Sequence, residues 1–243
     1  MSSSAKYNPS LLSLSKLMVA VLGDTIPESV TLDAIFIHGA PIRDDSLDLV
    51  VLEPILQLYR SGKVKKIVLN GLTAETCLAK NLAYGGFEAW QQYFLENGVS
   101  QEDILILLAS GHTAAESTNF LLLSKEEGWQ NVGITSHVHH VTRCFLQIVK
   151  MMETTGVQVD VYAIAGPDLA WDMPLKKPVM GGQAASGGGD VDGTFTLHFK
   201  EELDRTYIYA QALVEDGPKF TPHATIEEGL AYLADRSGRG STL

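Results

Sequence analysis

Five of the chain's seven histidines, His38, His112, His137, His139 and His140, stand in short polar stretches that directly follow apolar runs. Imidazole exchanges protons near neutral pH, so a gathering of this kind points to general acid/base chemistry. His38, His112, His139 and His140 are the candidate catalytic residues. Arg43 and Arg143 stand in two of the same stretches, and a guanidinium holds a carboxylate or phosphate through paired donors. Gly39 and Gly71 add bare backbone, over which N–H groups can approach an anion. Asn70, Ser110, Thr113, Glu116, Thr135, Ser136 and His137 complete the candidate ligand-binding set.

Each feature has a plainer reading. Thr113-Ala114-Ala115-Glu116 has the spacing of a helix capping box, in which Thr113 caps and Glu116 reaches back to the free N–H. A capped helix N-terminus facing a crevice is also an anion site, so the two readings are compatible. His137, His139 and His140 have imidazoles suited to a transition metal, but no acidic partner stands at helical or hairpin spacing from them, and no metal ligand is assigned. Asp44, Asp45 and Asp48 open a helix, where their charge favours the dipole; magnesium held for a phosphate is the alternative. Ser110 and Ser136 lack the Gly-x-Ser-x-Gly setting of a serine nucleophile.

These stretches need a scaffold that brings them together. Ala34–Ile37 reads as a buried strand running into His38-Gly39-Ala40, followed by a helix over 47–60 stopped at Gly62 and a second strand over 65–69. The alternation continues with a helix at 87–97, a strand at 104–108, a helix at 113–128, a strand at 132–135, a helix at 140–155 and a strand at 157–163. Five such alternations predict an α/β fold, a Rossmann-like doubly wound parallel sheet of about five strands with helices on both faces. In such sheets ligands bind beyond the carboxyl ends of the strands, where the four polar stretches 38–45, 70–76, 110–116 and 135–143 fall.

The expected organisation is an N-terminal helical extension (1–30), an α/β core (31–165), a flexible Gly/Pro-rich loop or lid (166–193) and C-terminal helices packing on the core (194–243). Trp171 and Met173 in that loop are either lid contacts or anchors. Phe195, Phe199, Leu203 and Ile208 keep helical spacing over 194–213, and Thr225-x-x-Glu228 has the capping-box pattern for a last helix.

With 243 residues and 45% hydrophobic composition the chain can bury a sizeable core. A net charge of −11 with no basic run argues against nucleic-acid binding. The apolar runs are far shorter than the roughly 20 residues of a membrane span. Leu11–Leu22 is broken by Ser13, Ser15 and Lys16, which suits a packed helix better than a signal peptide, so a cytoplasmic protein is expected. The two cysteines, Cys77 and Cys144, read as isolated thiols.

From about Asp33 to Arg205 the sequence resembles the DUF218 (YdcF-like) family. Arg43 matches its first Arg, Asn70-Gly71 part of its Ser-Gly-Gly, and Glu88-Ala89 a Glu-Ala pair that opens the following helix. Ser110-Gly111-His112-Thr113 matches with His112 in place of Asn, Glu116 stands one place later than the family's Glu, and Thr135-Ser136 matches directly. The interval to Arg143 is one residue longer than the family's, so either His139 or His140 takes the family's His. Glu201-Glu202-Leu203-Asp204-Arg205 resembles an acidic-Arg helix that closes the domain, and His38-Gly39-Ala40 departs from the family's Gly-Gly turn. The resemblance implies a Rossmann-like protein of envelope metabolism or one that binds a nucleotide-type ligand such as S-adenosylmethionine.

The combined expectation is an enzyme acting on a small anionic metabolite, phosphate- or carboxylate-bearing, with hydrolytic His acid/base chemistry. A non-catalytic or transferase-like binder of S-adenosylmethionine and a His-dependent metalloenzyme with a divalent metal are the alternatives. Oligomeric state is left open.

Overall fold

Leu32–Ile37 (β1) is the centre of the molecule because its side chains are buried on both faces of the sheet. Ala34 and Phe36 enter one apolar layer, Leu32, Ile35 and Ile37 the other. A run that is apolar on both faces suits an interior strand of a parallel sheet. The computed structural model describes residues 10–39, 45–80, 84–166, 174–177, 191–194, 200, 202–206 and 223–240.

The sheet has five parallel strands in the order β3-β2-β1-β4-β5. They are β1, β2 (Val64–Leu69), β3 (Ile104–Ile106), β4 (Asn131–Ser136) and β5 (Asp160–Ala165). This is the Rossmann-like doubly wound fold, with the direction of winding reversing between β1 and β4. One face carries α1 (Leu11–Leu22), α5 (Thr113–Glu127), α6 (Val141–Thr155) and α7 (Ile226–Gly240), which contribute Leu17, Phe120, Phe145 and Ile226 to a shared core. The other carries α2 (Asp45–Arg60), α3 (Ala74–Ala79) and α4 (Phe87–Glu96), with Ile55, Cys77 and Phe94. Cys77 and Cys144 are in no disulfide with each other; both are buried, and they lie in different layers.

Local signals explain the boundaries. α5 ends at Gly128 and α6 at Gly156, both left-handed, where a side chain would be strained. Thr225 and Glu228 form the expected capping box, Glu228 N donating to Thr225 Oγ1 (3.1 Å) and Thr225 N to Glu228 Oε2 (2.7 Å).

The structure corrects three expectations. The 166–193 stretch contains regular structure: Pro174–Lys177 (β6) pairs antiparallel with Val191–Thr194 (β7). Proline is tolerated there because it is the first residue of a two-stranded ribbon. Thr194 therefore belongs to a strand, and helix within 194–213 is described at 200 and over 202–206; Phe195, Phe199 and Ile208 lie outside the described residues, as do Trp171, Met173 and the Gly-rich run 181–189. Thr113 does not cap α5, because His112 Nδ1 accepts from Ala115 N (3.3 Å) in its place.

The outer edge of β5 is closed by side chains. Tyr232 Oη accepts from Val161 N (2.7 Å) and donates to Val159 O (2.9 Å), and Asp24 Oδ2 accepts from Ala163 N (2.8 Å). Arg236 donates to Val161 O, pairs with Asp24 and lies 4.4 Å over the Tyr162 ring. These bonds replace those of a sixth strand, a recognised way of protecting an edge. Among the described residues no helix is long and apolar enough to cross a membrane.

Candidate functional site

β1 and β4 lie side by side, Ile37 in register with Thr135, and the chain leaves both strands at the winding reversal. His38 extends β1 by one bond, its N–H donating to Thr135 O at 3.0 Å. Its ring stands edge-on to Phe36, centroids 4.6 Å apart. The His38 side chain is fully buried.

α5 brings Glu116 to this ring. His38 Nδ1 is 3.0 Å from Glu116 Oε2, while Oε1 accepts from Asn70 Nδ2 (2.7 Å) and Gly39 N (3.4 Å). Burial by itself pushes the Glu116 carboxyl up; the contact with His38, with the Asn70 amide, outweighs it and holds the group below its ordinary value. Nε2 of His38 is buried and has no hydrogen-bond partner among the described residues.

β4 and α6 bring a second histidine to a second glutamate. His140 Nδ1 is 3.0 Å from Glu202 Oε2 and 3.0 Å from Arg143 Nη2. Arg143 Nε also donates to Glu202 Oε2 (2.8 Å), Nη1 reaches Thr113 Oγ1 (3.4 Å), and Arg205 donates to Glu202 Oε1. Burial, then the Arg143 charge, push His140 down to about 4, against the pull of Glu202. Glu202 goes well below its ordinary range, because Arg143, His140 and Arg205 outweigh its burial. A neutral His140 thus has its Nδ1 between a fixed donor and a fixed acceptor. Its proton can sit on either ring nitrogen, facing Glu202 in one tautomer and yielding to Arg143 in the other.

The remaining candidates divide. His137 and His139 are buried and stacked, centroids 5.7 Å apart, and burial followed by the His140 charge pushes His137 down to about 4. Thr135 and Ser136 are buried at the end of β4. Asn70 and Ser110 bind each other, Asn70 Nδ2 to Ser110 O (2.7 Å) and Ser110 N to Asn70 Oδ1 (3.0 Å). His112 is exposed and spends Nδ1 on the α5 cap, apart from the buried cluster. Gly71 has a packing reason: a Cβ there would stand 2.0 Å from Leu107 O. Arg43 and Asp44 lie outside the described residues, and nothing is described of the Asp45 and Asp48 side chains.

Two contributors had no role in the site on sequence reading alone. Tyr84 donates to Asn70 O (3.2 Å) and packs beside Gly39. Glu202 ties the α6 cluster together, although the sequence offered only an acidic-Arg helix. Its signal was its spacing three residues after Phe199 and seven after Phe195, a carboxylate on an apolar helical stripe, which is buried only when paired. Among the described residues no three His, Cys, Asp or Glu side chains converge as a metal centre would require. No protein-family model matches the chain, and no curated protein matches it.

Proposed function

We propose that the chain is a DUF218-like acid/base enzyme that hydrolyses a small phosphate- or carboxylate-bearing metabolite between the ends of β1 and β4. The observation that carries this reading is the state of His38: Nδ1 is engaged by Glu116, and the buried Nε2 has no hydrogen-bond partner among the described residues. A carboxylate that orients one ring nitrogen leaves the other to receive a proton. The location agrees, since the winding reversal of an open α/β sheet is where ligands bind.

In the proposed hydrolysis, water attacks the phosphorus or carbonyl carbon of the ester and gives a proton to His38 Nε2. The bond to the leaving oxygen breaks, and the His38 imidazolium returns that proton to the departing oxygen, which leaves the ring neutral again, while His140 stays neutral and orients the site. Arg143 and Thr113, from the first turns of α6 and α5, hold the anionic group, which the helix dipoles favour. Their mutual contact at 3.4 Å places them together.

The test is a panel of phosphate and carboxylate esters at neutral pH, assayed for released product. His38→Gln should lower kcat by roughly 10²- to 10⁴-fold, the range for loss of a general base, and Arg143→Met should raise KM. A folded His38→Gln variant with native turnover overturns the reading. Stabilisation by S-adenosylmethionine with no ester hydrolysed would put the binder in its place.

A further inference from the structure

The Asn70 side chain is 1% exposed and uses all of its amide. Nδ2 donates to Ser110 O and to Glu116 Oε1, each at 2.7 Å. Oδ1 accepts from Ser110 N (3.0 Å) and Leu72 N (3.3 Å). A half-turn of the amide would set its oxygen against a carbonyl and a carboxylate, and its NH₂ against two N–H groups. One orientation therefore satisfies the site.

The constraint passes to the next residue. With Oε1 of Glu116 taken by Asn70 and Gly39, Oε2 is left to His38 Nδ1. An ionised carboxylate only accepts, so Nδ1 must carry a hydrogen and the lone pair of a neutral ring falls on Nε2. A chain of contacts thus runs from the Ser110 backbone through Asn70 and Glu116 to His38, joining the ends of β3, β2 and β1.

We propose that Asn70 is a positioning residue: it holds the side chain at position 116 against His38, and the carboxylate held there fixes the His38 tautomer whose Nε2 is the basic atom. Its catalytic meaning rests on the acid/base reading above, whereas the tautomer does not.

Nitrogen-15 NMR of the imidazoles in the full chain tests this without a substrate, the His38 signals being identified by their loss in His38→Gln. The native protein should show His38 protonated at Nδ1 and bare at Nε2. In Glu116→Gln, Asn70 keeps the new oxygen on its own side, the new NH₂ faces Nδ1, and the tautomer should reverse to Nε2–H. In Asn70→Leu/Glu116→Gln the oxygen is released to turn toward His38, and Nδ1–H should return. Asn70→Ser replaces Asn70→Leu if the first double variant does not fold.

A native Nε2–H form, or a Glu116→Gln variant that keeps Nδ1–H, overturns the proposal. A double variant that stays reversed does so as well, by assigning the orientation to Gly39. Reversal in Glu116→Gln with undiminished ester turnover would leave the positioning role intact and sink the acid/base reading; an unreversed tautomer with lost turnover would do the opposite.

Discussion

Glu202 Oε2 lies 3.0 Å from His140 Nδ1, and both side chains are only 4% exposed. The same carboxylate serves Arg143 and Arg205, so its loss strands buried charge. Glu202→Ala should cost roughly 3–5 kcal/mol, the scale for breaking a buried pair from one side. Urea unfolding checks this, and a loss below about 1 kcal/mol would show that the cluster adds little to stability.

Acid should unfold the protein in a definite window. Burial is the first cause that pushes His137, His140 and His223 down to about 4 from 6.5. The unfolded chain therefore binds these protons first, and stability is complete above pH 6.5 and falls as pH drops from 6.5 toward 4. At about 1.4 kcal/mol per unit, each histidine withdraws up to roughly 3 kcal/mol. Together they rival the roughly 5–15 kcal/mol that holds a domain folded. Glu116 and Glu202, whose folded values are depressed, contribute above their unfolded value near 4.5 and lose that contribution only at lower pH. Circular dichroism against pH should place the midpoint between 4 and 6.5, and His223→Gln should lower it. A midpoint below pH 4 contradicts the assignment.

Tyr232→Phe should open the β5 edge at one place. The phenol bonds Val161 N and Val159 O, so the variant should lose about 1–3 kcal/mol. Hydrogen exchange should speed up at the Val161 amide and change little at Ala163, which Asp24 holds. Equal change at both amides would mean that the whole edge frays.

Gly71→Ala should be among the most damaging small substitutions, because its Cβ meets the Leu107 carbonyl at 2.0 Å. Backbone on both sides must move, and the cost should reach or exceed the roughly 1–3 kcal/mol typical of overpacking. A melting temperature within a degree of native would show that the β2 and β3 ends separate easily.

Two similar capping sequences should respond differently. Thr225→Ala should cost about 1 kcal/mol of stability, since Thr225 caps α7. Thr113→Ala should leave the α5 start intact, because His112 caps it, and should disturb only the 3.4 Å contact to Arg143. Thermal melts of the pair decide the matter, and an equal loss in both would contradict the His112 cap.

That contrast also marks the limit of reading the sequence. The strands were legible because β1 and β2 bury apolar residues on both faces and β4 buries Val132 and Ile134, and the helix stops because Gly62, Gly128 and Gly156 need left-handed backbone. Thr113-x-x-Glu116 was misleading because a long-range partner, His38, outcompetes the local N–H for the Glu116 carboxylate. His38 and Glu116 were each recognisable as candidates, but their pairing across 78 positions depends on the order of strands, which local spacing does not encode. The β6–β7 ribbon was missed for the same reason, since short segments such as Pro174–Lys177 gain their extended form from a partner.

The placement of Glu202 bears on how the chain matures. During synthesis β1 to β5 and α6 are all made before residue 202 emerges, so Arg143 and His140 then lack the carboxylate that makes their burial tolerable. A nascent chain can pair its strands at that point, but the first turn of α6 gains its settled environment only when Glu202 arrives. The end of the sheet where β1 and β4 leave off is thereby among the last parts to be finished, and a ribosome-bound chain that stops short of Glu202 would carry a sheet without the completed His140–Glu202–Arg143 cluster.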